Sequence, residues 1–209
     1  MKKQLLLIPV LMLALLAFKN SAPEEDTLLA SELVWCGFDF SHVKCIGSDG
    51  FTDPDDVKDR FFDAWNDLVI NEGDKYDIKK FYGKETQIND LSVVSERNQL
   101  PEAEGLVIDE PYAFEEGQLE NIIKQYALSE AQEGLGLVYV IETLNKTAQH
   151  AVVNVVFFDI ASKEILWTNK YETKPGGFGL RNYWAAAFRK AMETSGKDFQ
   201  KEMKKMNKK

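Results

Sequence analysis

The 209-residue chain holds only two cysteines, two histidines and six prolines, and each scarcity removes a class of chemistry. Two cysteines cannot build a four-thiolate metal site. Cys36 and Cys45 enclose eight residues, whereas paired zinc ligands usually sit about two to four residues apart. Asp39 and His42 lie between them, but the spacing of the four is not a zinc pattern, so no metal or cofactor is expected. A Cys–His nucleophile pair is poorly served as well, because three residues of extended chain put His42 and Cys45 on opposite faces. Gly-x-Ser-x-Gly, the phosphate loop and His-Glu-x-x-His are all absent. Carboxylates are too abundant for any pair to stand out; Glu142 and Asp159, at the ends of two strands, have adequate turn and cap roles. An enzyme is therefore not expected.

A long hydrophobic run is also missing. Residues 5–18 are almost wholly apolar, shorter than the ~20 residues a membrane-spanning helix needs. They follow Met1-Lys2-Lys3 and precede Lys19-Asn20-Ser21-Ala22, the pattern of a cleavable secretory signal over residues 1–22. That predicts a periplasmic or secreted bacterial protein whose residues 23–209 form a single α/β domain. No cysteine closes the apolar run, so a lipid-modified N-terminus is not expected. Export permits a Cys36–Cys45 disulfide. A straight strand would hold those Cα atoms about 30 Å apart at ~3.3 Å per residue. Bridged Cα atoms lie within about 7 Å, so the bond requires a turn between them, and two buried free thiols are the alternative.

Positive charge is in deficit, with 25 basic against 34 acidic residues and a net charge of −9. Cleavage after Ala22 removes Lys2, Lys3 and Lys19 and no acid, leaving −12. Nucleic acid is excluded as a partner on this balance, because binding it depends on neutralising phosphates. The exception is the C-terminal tail, where residues 197–209 carry six lysines against Asp198 and Glu202. Such a helix end suits anionic lipid or an acidic partner, or is simply solvated and favoured by the helix dipole.

What the chain does contain is an α/β pattern. Val34–Phe40 alternates and is aromatic, as a first strand does, and its apolar parity breaks near Ser41-His42, where a bulge or bend is expected. Asp53-Pro54-Asp55-Asp56 opens a helix carrying Val57, Phe61, Ala64, Trp65 and Leu68 at helical spacing. Leu91–Val94 and Leu106–Ile108 read as short strands, and residues 116–132 as a helix. Residues 135–143, 152–160 and 165–171 follow as three strands with short connections, the first two apolar on both faces and therefore covered on both. A last helix begins at Arg181, with Ser195-Gly196 a candidate kink or division. The predicted fold is a mixed sheet of about five strands with a C-terminal antiparallel three-strand meander and helices on both faces.

A helix, then GLGLVYVIET, then VVNVVFFDIASKEILWTNKYE, resembles the second half of certain envelope α/β domains. They occur in the curli secretion channel, in outer-membrane activators of penicillin-binding proteins and in the N-terminal domain of the Tol translocation protein. The likeness spans roughly residues 115–195 and is one of hydrophobic pattern and turns. The membrane-anchoring cysteine of many such proteins is absent. The resemblance implies a scaffold or adaptor with an envelope protein as partner.

The most unusual local sequence is Pro175-Gly176-Gly177-Phe178-Gly179-Leu180-Arg181-Asn182, a glycine loop opening a helix. Backbone N–H groups at such a place bind anions, although a tight turn needing positive φ explains the glycines equally well. If the first and last strands both run parallel to the strand at 135, their carboxyl ends share one sheet edge, where ligands of open α/β sheets bind. Asp39, Ser41, Gly177, Gly179, Arg181 and Asn182 are then the candidate binding residues. The leading expectation is a non-enzymatic protein-binding adaptor; the alternative is a small-ligand or anion binder using the loop at 176–179.

Overall fold

The computed structural model describes residues 24–208. The export signal expected over residues 1–22 lies outside them. Among the described residues no helix is long and apolar enough to cross a membrane.

The sheet is built around β5 (Leu135–Asn145), in which all residues but the last are buried. β1 (Glu32–Asp39) runs parallel to its first half, from Val34 opposite Gly136 to Asp39 opposite Val140. The chain then leaves the sheet for residues 40–43 and returns as β2 (Lys44–Ile46), parallel to the end of the same edge of β5. Outside these lie β3 (Thr86–Asn89), parallel to β1, and β4 (Val107–Ile108), parallel to β2. On the other edge of β5 come β6 (His150–Asp159) and then β7 (Ile165–Thr173), each antiparallel to its neighbour. The expected sheet of about five strands with a C-terminal antiparallel three-strand meander is thus corrected. There are seven strands, and β1 to β5 are all mutually parallel. The count differs because the break at residues 40–43 splits the first strand into β1 and β2, and because Thr86–Asn89, a strand not expected from the sequence, pairs outside β1. The α/β class fits.

Helices cover both faces. On one side lie α1 (Glu24–Leu29), α2 (Pro54–Asp56) leading through a π turn into α3 (Phe62–Asn71), α4 (Ile78–Tyr82) and the 27-residue α7 (Leu180–Met206). The opposite face is closed by α5 (Ser92–Arg97) and α6 (Gln118–Ile123). Asp53 caps α2 by accepting from the Asp56 N–H at 3.0 Å, with Pro54 in the first turn. The larger core is aromatic: Phe40 stacks on Phe62 at 4.4 Å, and Trp65 and Phe188 meet edge to face at 5.5 Å.

Three further expectations are corrected. Leu91–Val94 does not form a strand; the Asp90 carboxylate accepts from the Ser92 N–H at 3.1 Å and starts α5, whose Val93 and Val94 press into the sheet. Packing overrides the β preference of two adjacent valines. The helix expected over 116–132 closes at Ile123, and Tyr126 and Leu128 pack from the turn beyond. Ser195-Gly196 does not divide α7, which is continuous from Leu180 to Met206. Gly196 lets α4 approach, since a Cβ there would sit 2.4 Å from the Phe81 carbonyl oxygen.

Candidate functional site

Residues on β1 alternate between the two cores, and a bulge resets that alternation. Leu33 and Trp35 face the larger core, Val34 and Cys36 the smaller. The register with β5 slips between Trp35 and Phe38, where Gly37 has φ +94°. After the slip Phe38 and Phe40 face the larger core, so Asp39 turns to the face beneath α5 and α6. Gly37 is required on two counts. Its φ favours glycine, and a Cβ would lie 2.6 Å from Asn66 Oδ1 and 2.8 Å from Val94 Cγ2.

Asp39 is 0% exposed and fully engaged. Oδ2 accepts from Arg97 Nε at 2.8 Å and from the Tyr126 hydroxyl at 2.6 Å, and Oδ1 accepts from the Ser41 N–H at 2.8 Å. Arg97 spends its other nitrogens on the Ser41 hydroxyl at 2.7 Å and on Gln125 Oε1 at 2.6 Å. Burial first, and then the Asp39 charge, push the Tyr126 hydroxyl well above its ordinary pKa, so it stays a donor. A buried ion pair holds only when its remaining hydrogen-bonding capacity is met, and here it is.

Two amides finish the same strand end. β3 leaves β1 after Trp35, so the outer edge of residues 38–40 has no strand beside it. Asn66 takes the Phe38 N–H at 2.7 Å and donates to the Phe38 carbonyl at 3.1 Å. Asn98 takes the Phe40 N–H at 2.7 Å and donates to the same carbonyl at 3.0 Å. Side chains replace a missing strand, and the chain can swing away at residues 40–43 without orphaned groups.

Gln125 connects this network to an open cavity of about 590 Å³ that His42, Tyr112, Glu115 and Gln118 also line. The His42 pKa is lowered by burial and then by the Arg97 charge, with Asp39 opposing. Across the same face, the buried Glu142 holds Lys170 at 2.8 Å and Asn154 at 3.0 Å. Under the opposite face the Tyr82, Tyr139 and Ser195 hydroxyls form a closed buried cluster, with Ser195 donating to the Ala191 carbonyl at 2.6 Å.

The sequence-derived site is divided by the sheet. Asp39 and Ser41 belong to the α5–α6 side. Gly177 and Gly179, with φ +96° and +77°, open α7 on the other. There Trp65 of the larger core donates to the Arg181 carbonyl at 2.9 Å, and the Gly176 N–H donates to the Tyr183 carbonyl at 3.0 Å. The Arg181 and Asn182 side chains are exposed, and Phe178 is 94% exposed. The structure therefore brings Asp39 to Ser41 but brings neither to the glycine loop. Arg97, Gln125 and Tyr126, which complete the Asp39 network, are absent from the sequence-derived set. The available signal was Asp90 followed by Ser92, which marks a helix start and carries Arg97 to the sheet.

The possible Cys36–Cys45 disulfide is not made. Both thiols are free and buried, Cys36 in the smaller core and Cys45 in the larger. Burial raises the pKa of each thiol, which keeps it protonated and poorly nucleophilic.

No protein-family model and no curated protein sequence matches the chain. Among solved structures it is similar to the C-terminal domain of LpoB from Salmonella enterica, at 14% identity and a TM-score of 0.31 over 72% of this chain and 92% of that one.

Proposed function

We propose that this chain is an exported envelope adaptor that holds a protein partner rather than turning over a substrate. The observation carrying this reading is the free edge of β7. It is nine residues long and pairs with β6 alone among the described residues. Thr168, Asn169, Lys170 and Glu172 on it are exposed. An exposed strand edge offers a row of backbone donors and acceptors, and addition of a partner strand satisfies them. The burial of both thiols, of the Asp39 carboxylate and of the Tyr82, Tyr126 and Tyr139 hydroxyls, which withdraws these groups from covalent or acid–base chemistry, supports the same reading. The export signal of residues 1–22 supplies the compartment.

A photo-crosslinking residue at Glu172, with the same residue at the exposed Asn71 as control, tests this in cells producing the full chain. The expected result is one defined protein adduct from position 172, none from 71, and loss of the adduct when proline blocks the edge at whichever of Thr168 and Asn169 turns its N–H away from β6. Equal adducts from both positions, or none, would overturn the reading, as would substrate turnover by the purified protein.

A further inference from the structure

The chain is acidic, with a net charge of −9, yet lysines make up six of the nine residues that line one groove on it. It lies between α4 and the second half of α7 and has a volume of about 770 Å³. Lys80 stands on the α4 side; Lys197, Lys201, Lys204, Lys205 and Lys208 stand on the other. The second group recurs at steps of three and four residues and so forms a stripe on one helical face. Eleven residues at ~1.5 Å each make that stripe about 16 Å long. Among the described residues Lys205 alone of the six is ion-paired, to Glu202 at 3.7 Å. Glu193 is the one acid in the lining. Asp198 is turned away and accepts from the Tyr171 hydroxyl at 3.0 Å.

The helix dipole does not account for this arrangement. Its effect fades within the last turn, which covers Lys204 and Lys205. It explains neither Lys201 and Lys197, one and two turns earlier, nor Lys80 from a different helix facing the same space. Six ammonium groups along one groove repel one another unless an anion lies between them.

From this charge complementarity we infer that the groove binds an acidic segment of a protein partner, about five residues in extended form at ~3.3 Å per residue, with apolar side chains between its carboxylates. The apolar side chains would meet Phe81 and the methylene stems of the lining lysines. A bilayer fits less well. Membrane-surface helices present an apolar face to the lipid, and that of α7 is already buried, with Trp184, Phe188, Ala191, Phe199 and Met203 in the larger core. The inference goes beyond the β7 edge and uses no contact there, so each surface stands or falls on its own measurement.

The test titrates the full chain with a fluorescent ten-residue peptide alternating Glu and Leu, at 50 and 200 mM salt. Two double variants of equal net charge are compared: Lys197→Glu with Lys201→Glu in the groove, and Lys124→Glu with Lys174→Glu on exposed positions outside it. Expected are saturable binding that weakens with salt, loss of at least tenfold in affinity in the groove variant, and less than twofold in the control. Equal loss in both variants would overturn the inference, because the attraction would then be unspecific. Two other results would overturn it as well: groove-dependent binding to phosphatidylglycerol vesicles without peptide binding, and self-association that the groove variant abolishes, which would make a second copy the occupant. Unchanged melting temperatures are required of both variants. If Lys197→Glu with Lys201→Glu does not fold, Lys197→Gln with Lys201→Gln replaces it, with an expected loss of at least threefold.

Discussion

Replacing Arg97 with Met removes the cation from a carboxylate that has no access to water. Asp39 is 0% exposed and Arg97 6% exposed, and Nε lies 2.8 Å from Oδ2. The substitution keeps most of the volume and leaves the Tyr126 hydroxyl and the Ser41 N–H on the carboxylate. It strands the charge, the Ser41 hydroxyl and Gln125 Oε1, the latter at the protein surface. Breaking a buried pair from one side costs about 3–5 kcal/mol. Removing both charges leaves the site neutral, and Asp39→Asn with Arg97→Met together are expected to cost less than the sum of the two single changes by at least about 2 kcal/mol. Urea unfolding of the four proteins, followed by tryptophan fluorescence, measures both quantities. A single Arg97→Met cost below about 1 kcal/mol, or simple additivity, would refute the view that this pair fastens α5 to the end of β1.

Gly37→Ala forces a side chain into φ +94° and against Asn66 and Val94; strain and overpacking each cost about 1–3 kcal/mol, and a denaturant midpoint unchanged by the substitution would contradict the bulge. Intact-mass analysis is expected to find Cys36 and Cys45 both reduced, with neither reacting with an aromatic disulfide reagent until urea is added; a mass lower by about 2 Da would show a bond. Burial lowers the Lys84 pKa to about 8, even though its ammonium donates to the Leu28 and Ala30 carbonyls. Between about pH 8 and its ordinary value near 10.5 the unfolded chain holds more protons at this site than the folded one, so folding stability rises with pH across that window. Relative to Lys84→Met the native protein is therefore expected to gain stability from pH 8 to 10.5, and a flat difference would contradict the burial.

The continuous apolar runs of β5 and β6 made their burial readable, because a strand covered on both faces has no polar side to show. The Asp53-Pro54 start of α2 was equally direct. α5 was misread because Val93-Val94 looks like strand while its helical packing comes from a sheet assembled elsewhere in the chain. The candidate residues part company at one position. Followed from Trp35 without interruption, the alternation of β1 would have placed Asp39 under α7, on the face that carries the glycine loop. The bulge at Gly37 sends it to the other face. Strand direction fixes which end of a sheet a residue reaches; face depends on every bulge before it. Arg97 lies 58 residues from Asp39 and Tyr126 lies 87, and no local pattern joins residues so far apart.

Hydrogen exchange along β7 tests the adaptor reading most directly. In the isolated protein alternate amides of Ile165–Thr173 face away from β6 and are expected to exchange quickly, while those of β5 are protected. In the complex recovered through position 172, the same outward amides are expected to slow at least a hundredfold with β5 unchanged. Exchange along β7 that is identical in the free and complexed protein would contradict strand addition at this edge.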